Sequence, residues 1–173
     1  MSLETLNWGS VADWASAFGS VAAVVTALYL ASTSQKIKIN AWCGHRVVAG
    51  GGLPNENLIS IMITNIGGRP ATISNIGIKV GLLKKRYAII KCTPAEHCAG
   101  VPKLINDGEQ ALYGFPLDNE RTWINSICHE FIFTSLDIMT LRITIHCTNG
   151  STKTIKPEKA VLKMLKEKIR SNG

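Results

Sequence analysis

Cysteine and histidine are the residues of this chain whose types and spacing suggest chemistry. They occur as His97–Cys98, Cys128–His129, His146–Cys147 and Cys43/His45, with Cys92 in addition. Four such side chains around one metal ion would form a tetrahedral zinc site. Adjacent residues of a strand point to opposite faces, however, so each adjacent pair can supply only one ligand, and no C-x-x-C motif is present. No cofactor and no metal site are therefore expected, and a zinc-binding or redox-responsive domain remains an alternative.

Motifs of enzymatic catalysis are absent from the sequence. It contains no G-x-S-x-G, no H-E-x-x-H and no Gly-rich phosphate loop. The run Gly50–Gly51–Gly52 has no following helix pattern and no Lys-Ser or Lys-Thr, so we interpret it as a flexible turn. A non-enzymatic protein without catalytic residues is expected.

Charge is distributed unevenly along the 173 residues. The net charge is +7, yet all 19 Lys and Arg residues, and 10 of the 12 Asp and Glu residues, follow residue 35. With 46% hydrophobic and 18% charged residues, the composition excludes disorder as the main state. The N-terminal and C-terminal parts are expected to occupy different environments, and the basic part suggests an acidic partner or an anionic surface.

The uncharged stretch 14–35 reads WASAFGSVAAVVTALYLASTSQ. As a helix it would extend about 33 Å, close to the ~30 Å hydrocarbon thickness of a bilayer. The residues before it are acidic, whereas a secretory signal peptide begins with a basic region. We predict a transmembrane helix over 14–35, inserted in the lipid bilayer and preceded by a short extracytoplasmic N-terminus over 1–13. A core helix of a soluble protein is the alternative.

The orientation of this span follows from the basic residues beside it. Lys36, Lys38 and Arg46 come after it, and no Lys or Arg comes before it. Because basic residues near a span stay on the cytoplasmic side, the N-terminus is predicted to face outward and residues 36–173 to be cytoplasmic. The chain is expected to be a single-pass membrane protein. In the reducing cytoplasm its five cysteines should be thiols.

One face of the predicted span carries small residues at every fourth position. They are Ala15, Gly19, Ala23, Ala27 and Ala31. Small residues at this spacing let two helices approach closely in lipid, where packing drives association. We predict that the protein is a homo-oligomer through this face.

From residue 36 onward the apolar pattern changes to a period of two, which is typical of strands. Strands are predicted over Lys36–Val48, Leu58–Thr64, Ala71–Val80, Tyr87–Cys92, Gln110–Phe115, Met139–Thr148 and Ser151–Ile155, and residues 93–108 are loop-like except around Lys103–Ile105. The stretch Trp123–Ser135 fits a strand or a short helix, and Asn149–Gly150 predicts a hairpin turn. Short strands with frequent turns indicate a mainly β fold, with an antiparallel β-sandwich over 36–156.

The chain is predicted to end in a basic amphipathic helix over 157–173. Together with one turn, this helix would form a basic surface of Lys84, Lys85, Arg86, Lys159, Lys163, Lys166, Lys168 and Arg170. Either the helix lies on anionic lipid, or it packs its apolar stripe on the sandwich and exposes its lysines. Aromatic residues are not interleaved with these charges, so nucleic acid is not an expected partner.

Two stretches carry a resemblance to known proteins. ITNIGGRPATISNIGIKVG at 63–81 resembles the N-x-G-x-x-P-x-x-I pattern of small bacterial and prophage inner-membrane proteins, and NWGSVADWASAFGSVAAVVTALYLA at 7–31 is similar to their membrane segments. The resemblance implies one N-terminal transmembrane helix in a bacterial inner membrane, followed by an immunoglobulin-like β-sandwich. It also suggests a role in phage exclusion or antiphage defence. Within the pattern, Gly67 or Gly68 is expected to adopt a positive φ.

The expected function is that of a non-enzymatic, membrane-anchored protein whose cytoplasmic β-domain binds a protein or a small anionic ligand. One rival is a membrane effector, in which the β-domain senses a nucleotide-like anion and the oligomerised span perturbs the membrane. Several Lys or Arg residues converging on one pocket would favour this rival.

Overall fold

In the computed structural model the chain divides into two units, Met1–Lys36 and Ile37–Gly173. The residues that the structure describes are 10–49, 55–82, 84–117 and 123–172. The first unit contains one helix, α1 (Val11–Ser34). It begins three residues before the predicted span, because the Asp13 carboxylate accepts the Ser10 N–H at 2.8 Å while the Ser10 hydroxyl accepts the Asp13 N–H. None of the side chains of α1 is buried.

The second unit contains two antiparallel sheets, as predicted. One sheet has the order β1-β2-β6, formed by β1 (Ile39–Val48), β2 (Glu56–Asn65) and β6 (Gln110–Pro116). The other contains β3 (Ala71–Val80), β4 (Arg86–Ile90), β5 (Lys103–Ile105), β7 (Arg142–Cys147) and β8 (Thr152–Ile155). Its order is β4-β3-β7-β8, and β5 also pairs with β3, beyond the end of β4. The apolar N-terminal helix, the antiparallel sheets and the C-terminal helix of the expected fold are thereby confirmed.

Both sheets contribute isoleucines to one core. Ile61 and Ile63 of β2, Ile76 of β3 and Ile145 of β7 are all completely buried. β-branched side chains fit this role because they pack well on a pleated surface. The inward positions of β3 shift at Ser74, where a register irregularity separates Ile73 from Asn75. The three-residue spacing between Ile73 and Ile76 therefore keeps both side chains in the core.

The turn between β2 and β3 differs from its predicted geometry. Neither Gly67 nor Gly68 has a positive φ. The turn is held instead by the buried side chain of Asn65, whose Oδ1 accepts the Gly67 N–H at 3.1 Å. The Asn65 Nδ2 donates to the carbonyl oxygens of Arg69 at 2.7 Å and Ile105 at 3.2 Å. The expectation of a positive φ was wrong because a side-chain amide replaces the backbone turn.

Two helices occupy the connection between β6 and β7. The undecided stretch after residue 122 forms α2 (Trp123–Glu130), and α3 (Ser135–Thr140) follows it. The predicted start of a strand at Met139 was wrong, because Met139 belongs to α3. The Thr134 hydroxyl accepts the Asp137 N–H, and the Asp137 carboxylate accepts the Thr134 N–H. This capping box begins α3 at Ser135, and the strand that was predicted from Met139 begins only at Arg142.

The C-terminal helix α4 (Lys159–Asn172) packs on the β-domain. Val161 and Leu165 are completely buried, and Leu162, Met164 and Ile169 also pack against the core. The apolar stripe of α4 is thus covered by protein, which favours the second of its two interpretations over insertion into lipid.

Candidate functional site

A cavity of about 570 Å³ lies between the edge strands β4 and β6 and is bordered by α2. Its apolar lining consists of Ile78, Ala88, Ile89, Ile90, Phe115, Pro116, Ile127 and Phe131. The polar lining residues are Lys91, Ser126 and Glu130. This volume lies within the range of small-ligand and peptide side-chain sites, which are mostly apolar with few polar groups.

The electrostatic character of this cavity bears on the nucleotide-sensing rival. Among its described lining residues, Lys91 is the one basic side chain, and the carboxylate of Glu130 accompanies it. An anion-sensing pocket gathers several basic groups or helix N-terminal amides around its ligand. The lining that the structure describes is suited to apolar groups, and the convergence of basic residues that would favour a nucleotide ligand is not found in it.

Arg86, the first residue of β4, contacts α3 and the segment between α2 and α3. Its Nη2 lies 2.8 Å from Oδ1 of Asp137 in α3. Its guanidinium carbon lies 5.7 Å from the ring centroid of Phe131, which lines the cavity, and 5.1 Å from that of Phe133. The cation–π contacts and the ion pair together fix the guanidinium between the two aromatic rings and the carboxylate. Arg86 therefore positions one wall of the cavity rather than presenting a free surface charge.

The pKa of Asp137 provides a test of this cluster. Burial would raise this pKa, but hydrogen bonds from Arg86, Phe133 and Thr134 outweigh burial, so the pKa lies below its ordinary value of 3.8. A carboxyl with a depressed folded pKa stabilises the fold above its unfolded pKa, and the stabilisation is lost as the pH falls through the folded pKa. We expect Asp137→Asn to lower the free energy of unfolding by about 2 kcal/mol at pH 7, and by less at pH 3, which lies below the unfolded pKa.

Urea unfolding of the full chain in mild detergent between pH 3 and pH 7 measures this difference. Asp107→Asn is the matched control, because Asp107 is exposed in the turn before β6. It should change the free energy of unfolding by less than about 0.5 kcal/mol throughout. A destabilisation by Asp137→Asn that is equal at pH 3 and pH 7 would contradict the role assigned to the Asp137 charge.

The cysteine and histidine pairs do not converge on one site. All five cysteines are buried thiols. Burial raises the pKa of Cys43 and of Cys92 to about 12, which disfavours the thiolate that zinc requires. Over residues 10–49, 55–82, 84–117 and 123–172, no three potential metal-ligating side chains come together.

The separation of adjacent residues onto opposite faces explains this arrangement. In β7, Cys147 is buried, whereas Nδ1 of the more exposed His146 lies 3.1 Å from the Thr152 hydroxyl. Similarly, Cys98 is buried while Nε2 of His97 lies 3.1 Å from the carboxylate of Glu56. Each of these two pairs therefore directs its cysteine into the core and its histidine towards a polar partner.

The predicted basic residues lie on two different elements. Lys84 and Lys85 are exposed in the turn before β4, and their neighbour Arg86 is engaged as described above. On α4, the exposed side chains are Lys159, Lys163, Lys166 and Arg170. The Nζ of Lys163 lies 3.7 Å from Oε1 of Glu167, one turn further along α4. Lys168 is half-buried, and its charge acts on the thiol of Cys128.

The small residues of the N-terminal helix share one exposed face. Ala15, Gly19, Ala23, Ala27 and Ala31 all lie within α1 and are all exposed. A Cβ atom added to Gly19 would meet nothing within 4 Å. Beside this face, the Ser20 hydroxyl donates to the Ser16 carbonyl oxygen at 2.9 Å. The Ser20 side chain is thus satisfied within its own helix.

Sequence reasoning missed the cavity and the cluster around Asp137. The inward positions of β4, Ala88 and Ile90, were within a predicted strand, but their facing elements come from distant parts of the chain. The pattern Thr134-x-x-Asp137 was a local signal for the start of α3 and is the sequence form of a capping box. Nothing local indicated that Asp137 pairs with Arg86.

Comparisons with known proteins do not assign the chain to a family. No protein-family model matches it, and no curated protein matches it. Among solved structures it is similar to one described as an ApaA protein from Bordetella pertussis, with 17% identity over 70% of this chain and 89% of that chain and a TM-score of 0.34. It is also similar to the Northeast Structural Genomics Consortium target SoR45, with 13% identity over 72% and 84% of the two chains and a TM-score of 0.29. With these scores, neither likeness assigns a fold family or a function.

Proposed function

We propose that this protein is a non-enzymatic binding protein that α1 anchors in a membrane. The observation that carries the proposal is the exposure of α1. In the described part of the chain, α1 is the one helix that is long and apolar enough to cross a bilayer. Phe18 is 72% exposed and Leu28 66% exposed, and no residue from 10 to 36 covers either side chain. Apolar surface of this extent is stable in lipid.

The second unit supports a binding role. The sheet orders β1-β2-β6 and β4-β3-β7-β8 support an immunoglobulin-like arrangement of the β-domain, a type of scaffold that commonly serves recognition. The cavity beside β4 offers an apolar concave surface for a partner. Association of two or more copies through the small-residue face of α1 is part of the proposal. A role in phage exclusion or antiphage defence rests on the resemblance of residues 7–31 and 63–81 alone.

The anchor and its orientation can be tested together. In a Gram-negative bacterium, we expect the full chain in the inner-membrane fraction after an alkaline wash. A cytoplasm-active reporter fused after Gly173 should give signal, and a periplasm-active reporter should not, because Lys36, Lys38 and Arg46 follow the span. Replacing both Val21 and Val25 by Lys should release the chain from the membrane, since two charges at the centre of a span oppose insertion.

The conservative double variant Val21→Leu and Val25→Leu is the matched control and should remain in the membrane fraction. Recovery of the unmodified full chain in the soluble fraction would contradict the anchor. Removal of residues 1–34 by a signal peptidase would contradict it as well, because α1 would then be a targeting signal. Activity of the periplasmic reporter alone would contradict only the orientation.

A further inference from the structure

Strand β4 is an edge of its sheet. It pairs with β3 on one side, and no described strand pairs with its other side. Such an edge presents unpaired backbone N–H and C=O groups, which can hydrogen-bond to an added strand. The opposite edge of the same sheet, β8, carries the exposed polar residues Thr152, Lys153 and Thr154. On β4, by contrast, the exposed residues are Tyr87 (65%) and Ile89 (74%). Within β4 itself the exposed side chains are thus aromatic or apolar, whereas those of β8 are polar.

The cavity adjoins this strand. Ala88 and Ile90, the more buried positions of β4, line it, and Ile89 and Lys91 border it as well, whereas Tyr87 is not part of its lining. The side chains of an extended peptide paired with β4 would alternate between two faces. Every second side chain of this peptide would enter the cavity and contact Ile78 and Ile127. The combination of a free edge and an adjoining apolar cavity fits an added strand better than a rounded small molecule.

The charges around β4 indicate what else this peptide carries. Lys79 lies on the same face as Tyr87, with its Nζ 5.7 Å from the ring centroid, and Lys84, Lys85 and Lys91 flank the strand. The Arg86 charge is already paired with Asp137, which leaves Glu130 as the acidic group at the cavity. A second copy of this chain, paired edge to edge through β4, would bring these lysines together. Like charges oppose that arrangement, whereas acidic side chains complement it.

We propose that β4 and its cavity bind an extended peptide segment of another protein, added as a strand to the free edge of β4. In this segment apolar side chains alternate with others that include several Asp or Glu residues. The proposal rests on the binding function proposed above and names the site and the chemical class of its partner.

The test begins with the full chain reconstituted in lipid nanodiscs, and incorporation is measured first. A library of displayed random decapeptides is then selected against the loaded nanodiscs after counter-selection on empty ones. We expect enriched peptides to be net negative, with apolar residues at every second position. Enriched peptides with apolar residues at every third or fourth position, which indicates a helix, would overturn the proposal. The absence of enrichment would overturn it too.

Two variants locate the binding of an enriched peptide. Ala88→Phe fills the cavity, and Lys91→Glu reverses the charge at its rim. Each should weaken binding at least about tenfold in fluorescence anisotropy, with an unchanged circular dichroism spectrum. Lys153→Glu makes the same charge change on the polar edge strand β8 and should alter affinity by less than about twofold. Equal affinity for all four proteins would place the peptide elsewhere and overturn the proposal. Failure of the chain to enter nanodiscs would instead contradict the anchor.

Discussion

Asn65→Ala should lower the free energy of unfolding by about 3 kcal/mol. Asn65 is completely buried, and its carboxamide makes three hydrogen bonds to the backbone: with the Gly67 N–H and with the carbonyl oxygens of Arg69 and Ile105. Alanine would leave these groups without their partner, and an unsatisfied buried polar group costs about 1–3 kcal/mol. The effect is large because one side chain joins the β2–β3 turn to β5.

Urea unfolding of the full chain in mild detergent, followed by circular dichroism, measures this loss. Asn40→Ala is a matched control, because Asn40 is exposed and its Oδ1 accepts only the N–H of the next residue, Ala41. It should cost less than about 0.5 kcal/mol. If Asn65→Ala costs no more than the Asn40→Ala control, the turn is held by other contacts, and the structural meaning assigned to the N-x-G-x-x-P pattern is wrong.

Gly19→Ile and Ala23→Ile should each weaken self-association of α1 at least about tenfold. Both residues lie near the middle of the small-residue face, where two helices would approach most closely. The added side chain at Gly19 meets nothing within 4 Å in a single chain, so a loss of association would report a contact between chains. Isoleucine also keeps the segment apolar enough to insert.

Crosslinking of the full chain in membranes measures this association, with equal insertion of every variant checked first. Val24→Ile is the matched control, since Val24 lies about 100° around the helix from Ala23 and should have little effect. Unchanged crosslinking of Gly19→Ile and Ala23→Ile would show that the spacing of small residues in α1 is only a consequence of its composition. The anchor itself would be unaffected by that result.

The sequence by itself determined the elements whose signal is local. An uncharged apolar stretch predicted α1, and the period of two predicted seven of the eight described strands, with β3 (Ala71–Val80) correct to the residue. The alternation also explains why the side chains of His146 and Cys147 point to opposite faces of β7. These features depend on backbone periodicity and on the sequence order of polar and apolar residues.

The tertiary structure decided what depends on contacts between distant residues. Arg86 pairs with Asp137, Asn65 bonds to Ile105, and the cavity is bordered by β4, β6 and α2. No periodicity records which strands become neighbours or which edge stays unpaired, because pairing is chosen by burial of the whole core. The six-residue helix α3 shows the same limit: a capping box marks its start, but so short a helix is unstable alone and forms only where its neighbours pack on it.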